Sequence, residues 1–157
     1  MDKERMNYLV GLADRALKES GSGILNTAKA EIKDSYNGLV AAFPVSIAMS
    51  GLKPAFCFYY QKSDGGNSKT STKPILKTIA WMLDKIAKDP EKDTPFDAKQ
   101  RSLLNNLGDM DKLKDKIFAL KENTDEEVFL KALIIDCSTA LKLVVRTYKL
   151  SSNGKSA

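Results

Sequence analysis

Apolar residues recur at three- and four-residue steps along nearly the whole chain, which is the spacing of helices with one buried face. Met6, Leu9, Val10, Ala13, Ala16 and Leu17 give the first such stripe, and "GSG" at 21–23 ends it. A second stripe, Leu25, Ala28, Ile32, Tyr36, Leu39 and Phe43, predicts a helix that Pro44 kinks or ends near Phe43. Proline lacks the amide donor and crowds the preceding turn. Beyond it "VSIAMSGL" predicts two turns stopped by Gly51, and "KPAFCFYYQK" a new helix with Pro54 in its first turn. The segment 63–73, "SDGGNSKTSTK", reads as a loop. "PILKTIAWMLDKIA" predicts an amphipathic helix opened by Pro74, with Trp81 widening its apolar side. A polar connection follows, then one or two shorter helices over Phe96 to Leu120, broken near Gly108. "NTDEEV" supplies a cap at Thr124 or Asp125 and acids in the first turn. The last helix is expected from about Asp125 to Leu150.

These elements predict an all-α fold, a single compact bundle of about five to seven helices over 1–150, with 151–157 a frayed tail. A helix-plus-strand fold using "AFCFYY" as a strand is the alternative. The uncharged run from Ser35 to Leu52 is at the lower length limit for a membrane span. It holds Asn37, Gly38, Pro44, Ser46 and Ser50, too polar and broken for hydrocarbon, so it reads as a kinked central helix. "MDKERMNYLV" has mixed charges where a secretory leader needs an apolar core, so no leader is expected there.

Composition sharpens the functional side. The chain of 157 residues has no histidine, which removes the usual zinc sites and the Ser-His-Asp and Cys-His hydrolases. Enzymatic activity is not expected, nor any cofactor or metal. Cys57 and Cys137 sit far apart in apolar surroundings and read as buried free thiols of a reducing, cytoplasmic compartment. Net charge is +5 and uneven. Residues 50–83 and 137–157 each carry +4, while 84–127 carries −3. That distribution suits a polyanionic partner on one side and a protein partner on another.

The last helix concentrates the signal. Leu130, Leu133, Ile134, Cys137, Leu141, Val144, Val145 and Tyr148 fall on one wide apolar face. Lys131, Lys142, Arg146 and Lys149 fall on a narrow strip, the last three at i, i+4 and i+7 with no acid beside them. A solvated face favoured by the helix dipole accounts for such a strip. So does a row of phosphate contacts, which follows a nucleic-acid backbone without reading sequence. Arg15 and Lys18 form a weaker patch, balanced by Asp14 and Glu19, and Lys53 stands at the break after Gly51. Phe56, Phe58, Tyr59 and Tyr60 read as core rather than a base-stacking platform, because basic residues do not alternate with them. "SDGGNSKTST" lacks the spacing of a phosphate-binding loop.

Taken together, the break in "YNGLVAAFPVSIAMSGL", the aromatic helix "KPAFCFYYQKS", the Gly/Ser loop, the Trp81-Met82-Leu83 helix and the terminal "EEVFLKALIIDCSTALKLVVRTYKL" resemble one family. It is the small helical subunit of the type III-B CRISPR effector, the Cmr complex. The resemblance covers most of 30–62, 74–86 and 126–150, whereas 87–125 is longer and more charged than the family's usual connection. The resemblance implies a non-catalytic part of an RNA-guided assembly for antiviral defence. Copies would stack as a minor filament beside the guide-bearing backbone subunits and abut the large polymerase-like subunit. They would contact guide and target RNA through phosphates, with specificity left to guide pairing. Lys142, Arg146 and Lys149 would lead those contacts, with Lys131, Arg15, Lys18 and Lys53 behind them. The rival expectation is a helical protein–protein adaptor with no nucleic-acid contact.

Overall fold

Seven helices and one small sheet make up the described residues, 2–60, 71–89 and 94–151, of the computed structural model. Helix α1 (Lys3–Glu19) starts where the Asp2 carboxylate accepts the amides of Glu4 and Arg5, and buries Leu9, Leu12, Ala13, Ala16 and Leu17. The predicted second helix begins later than its periodicity suggests. Leu25–Asn26 (β1) and Glu31–Lys33 (β2) form a short antiparallel hairpin, and helix α2 (Asp34–Ser50) follows. Local chemistry overrides the apolar spacing here. The Asn26 side chain accepts the amides of Ala28 and Lys29, and Ala30 takes a φ of 54°, a left-handed conformation a helix cannot contain.

Pro44 does not end α2. The helix runs through it to Ser50 because Pro44 lies among the buried residues Val40, Phe43 and Ile47. Packing of that face outweighs the missing hydrogen bond. Gly51, at φ 95°, caps the helix through its amide to the Ile47 carbonyl, and α3 (Leu52–Tyr60) begins at once. "AFCFYY" is therefore helix. The strands lie elsewhere, and the mainly α expectation holds with a small sheet added.

Pro74 opens α4 (Lys73–Lys88), the most fully buried amphipathic helix. Short α5 (Ala98–Ser102) and α6 (Met110–Ala119) flank the predicted break at Gly108, and Asp97 and Gln100 close a capping box on α5. Thr124 caps α7 (Asp125–Val145) as expected. That helix stops five residues early. The Thr147 amide and hydroxyl both donate to the Val144 carbonyl, and the chain extends as β3 (Lys149–Ser151). Strand β3 pairs in parallel with β2, matching Leu150 to Ile32. The loop expected over 63–73 lies outside the described residues except for 71–73, and the frayed tail expected over 151–157 except for Ser151, which pairs in β3 and is not frayed.

Helix α7 lies between α1 and α2, while α4 packs on α1, α3 and α7. Its predicted apolar face is buried from Leu130 to Val145. Ser138 sits within that face with its hydroxyl donating to the Ile134 carbonyl at 2.7 Å, so the buried polar group is satisfied. The middle of α7 and the turn after it are tied to α1. Asp136 pairs with Arg5 at 3.5 Å, and the Tyr148 hydroxyl donates to Asp14 at 2.6 Å. No helix is long and apolar enough to cross a membrane among the described residues.

Candidate nucleic-acid interface

Burial of one face of α7 leaves Lys131, Lys142 and Arg146 on the side toward solvent. Lys142 and Arg146 are one turn apart, ~6 Å along the axis, and Lys131 is three turns back, ~16 Å. Lys142 is half-buried and Arg146 exposed, with exposed Leu143 beside them. Lys142, Arg146 and Lys131 form none of the ion pairs found among the described residues. A positive group without a carboxylate partner is open to a phosphate oxygen, and the fixed guanidinium fork makes Arg146 the stronger donor.

Lys149 breaks the expected row. The helix has ended before it, so the i+7 position no longer exists, and Lys149 lies on β3 opposite Glu31. Its ammonium is 3.5 Å from the Glu31 carboxylate, the acid partner that the local sequence did not show. The lysine remains 77 % exposed, so the pair is a weak surface contact.

Arg15 and Lys18 are balanced as the sequence indicated. Arg15 is 3.4 Å from Glu19 and lies over the Trp81 ring, while Lys18 is 2.9 Å from Asp14. The Tyr148 hydroxyl and then the Lys18 ammonium hold the Asp14 carboxyl below the usual aspartate range. Lys18 is correspondingly pushed up by Asp14. Trp81 is half-buried against the core and covered by Arg15 and Lys85.

Lys53 and Lys131 are brought together, which neither position announces in the sequence. Both line a cleft of about 260 Å³ between the α2–α3 corner and the start of α7. A second arrangement was also hidden by sequence distance. Phe56 and Tyr59 are core, but Phe58 is 59 % exposed and Tyr60 half-buried. Lys73 of α4 and Lys114 of α6 lie over the Tyr60 ring at 4.9 and 5.2 Å. The Tyr60 hydroxyl donates to Asp111, and that hydrogen bond first, then desolvation and the charges of Asp111, Asp109 and Asp115, push its ionisation upward. That acidic rim opposes a phosphate backbone.

The cysteines divide. Cys137 is buried, and burial pushes its thiol far up, but Cys57 is exposed on the outer side of α3. Its neighbours Phe56 and Tyr59 take the inward face, which turns position 57 outward. No three His, Cys, Asp or Glu side chains are grouped to hold a metal among the described residues.

The family model described as CRISPR-associated protein (Cas_Cmr5) matches residues 12–132. The match takes in the charged 87–125 region, set apart in the sequence as a departure, and ends before Lys142. No curated protein and no solved structure gave a match.

Proposed function

From the premise that this chain belongs to the Cas_Cmr5 family of CRISPR-associated proteins, we propose that it is the non-catalytic small subunit of a type III-B Cmr effector complex. In this reading it works in the cytoplasm in antiviral defence. Copies stack beside the guide-bearing backbone subunits and against the large polymerase-like subunit. They hold guide and target RNA through phosphates, and guide pairing selects the target. The observation that carries the RNA contact is the pair Lys142 and Arg146, one turn apart on the solvent side of α7 with no carboxylate partner among the described residues. Lys131 flanks the pair three turns back, and Arg15, Lys18 and Lys149 serve at most as secondary contacts because each has an acid at hand.

Charge along α7 suits the stacking. Asp125, Glu126 and Glu127 occupy its first turn and Lys142 its last, roughly 25 Å away at 1.5 Å per residue. Such a polarised rod favours head-to-tail neighbours. The test is charge reversal of Lys142 and Arg146 to Glu in the reconstituted complex, read as target-RNA capture over a salt series.

The exposed side of α2 favours a second reading, an adaptor without RNA contact. Ala42, Val45, Ala48 and Met49 form an uncharged stripe there, with Met49 81 % exposed. Nuclease treatment of complexes purified from the host separates the two. RNA of regular length protected by the complex supports the first reading, and nucleic-acid-free oligomers support the second.

A further inference from the structure

The cleft at the α2–α3 corner has an apolar floor made by exposed Pro54 and the edges of Leu52 and Leu120, which are 4 and 5 % exposed. Four charged side chains line it: Lys53, Lys131, Glu122 and Glu127. Glu127 is already committed, because its carboxylate accepts the Asn123 amide at 3.3 Å and anchors the turn into α7. Neither lysine pairs with either glutamate or with any other carboxylate among the described residues, although all four share one cleft. The cleft thus offers two free ammonium groups, one free carboxylate and an apolar floor within about 260 Å³.

We infer that this cleft is a binding site for a single nucleotide, with the phosphate between Lys53 and Lys131 and the ribose and base against Pro54 and the edges of Leu52 and Leu120. The Glu122 carboxylate accepts from a ribose hydroxyl or an exocyclic base amine, the donor type that carboxylates recognise on bases. Two ammonium groups neutralise one phosphate, and both act as point charges that need no fixed plane. The volume lies below the roughly 300 Å³ of the smallest ordinary ligand sites, so a mononucleotide would stand partly out of the cleft and a stacked pair would not enter it. A bare anion would leave the floor and Glu122 unused, and an apolar ligand would leave two cations without counter-charge. The same chemistry is presented by a free nucleoside monophosphate and by one unstacked residue of an RNA strand. The site shares Lys131 with the strip on α7 but uses neither Lys142 nor Arg146.

The test is titration of the intact ¹⁵N-labelled chain, in separate samples, with adenosine and cytidine 5′-monophosphates, a single-stranded hexanucleotide and inorganic phosphate. Saturable amide shifts at Gly51–Lys53, Asn123 and Lys131 are expected with a mononucleotide, or with the hexanucleotide alone if the source is a strand. Phosphate alone should bind at least about tenfold more weakly, as it cannot reach the floor or Glu122. The double substitution K53Q/K131Q should weaken nucleotide binding about tenfold or more, while K29Q, on the exposed turn between β1 and β2, leaves it unchanged. Amide spectra outside the cleft verify that each variant is folded. Equal response to phosphate and nucleotide, no response to any probe, or binding indifferent to K53Q/K131Q would overturn the inference.

Discussion

Glu31 and Lys149 face each other across the parallel β2–β3 pair, carboxylate to ammonium at 3.5 Å. The contact marks where the chain leaves α7 and ends the basic row at Arg146. Because Lys149 is 77 % exposed, solvent screens the pair. Substituting Lys149 by Gln should change unfolding free energy by less than ~1 kcal/mol in a urea titration, the range of exposed pairs. Its effect on RNA capture should fall below that of Arg146→Gln. A loss above ~1 kcal/mol would show that the pair is not screened as described.

Gly108 has no room for a side chain. A Cβ built there would stand 2.9 Å from the Cβ of Asp84 on α4. Gly108→Ala should cost ~1–3 kcal/mol, the usual cost of forcing a group into a packed contact. Removing the opposing Cβ with Asp84→Gly should make the second substitution cheaper, and a double-mutant cycle by chemical denaturation reads that coupling. Additive costs would contradict the steric explanation.

The two thiols should differ in reactivity. Cys57 is exposed, while Cys137 is fully buried with its ionisation suppressed by desolvation. A thiol reagent should modify one cysteine of the native chain, Cys57 by peptide mapping, and both in denaturant. Native labelling of Cys137 would indicate that α7 opens readily.

Tyr148 and Lys18 together predict an acid-side stability loss. Their contacts lower the Asp14 carboxyl below its usual 3.8, the hydroxyl of Tyr148 being the larger cause. A depressed carboxyl contributes stability that is present above the unfolded value and lost as pH falls through the folded one. Wild type should therefore exceed Tyr148→Phe in stability at pH 6, with the gap closing below about pH 3.8. Asp136 works in the opposite sense. Burial raises its carboxyl despite Arg5, so its contribution weakens as pH rises from 3.8 through the folded value. A wild-type advantage that grows on acidification would refute the assignment to Asp14.

Periodicity carried the helices whose burial is one-sided. The face of α7 from Leu130 to Val145 and the stripe of α4 were legible because long apolar spacings leave one solution. It failed at Leu25–Lys33, where an Asx turn at Asn26 and the left-handed Ala30 made a hairpin from residues spaced like a helix. It failed again after Val145, where pairing with β2, remote in sequence, replaced the last helical turn. At Pro44, where a kink or an end was expected, the end is excluded, since the burial that keeps α2 continuous depends on neighbours no local rule includes. For the site, the unpaired state of Lys142 and Arg146 was readable from the absence of nearby acids. The partner of Lys149, the meeting of Lys53 with Lys131 and the lysines over Tyr60 were not, because each joins elements distant in the chain.

Whether the solvent side of α7 holds RNA phosphates is decided by the target-RNA affinity of the reconstituted complex carrying K142E/R146E, measured over a salt series. Binding should be weaker at every salt concentration, independent of target sequence. The logarithmic salt slope should shrink by about one for each phosphate that is no longer neutralised. Unchanged affinity and slope in a fully assembled complex would contradict a phosphate-binding role for this face.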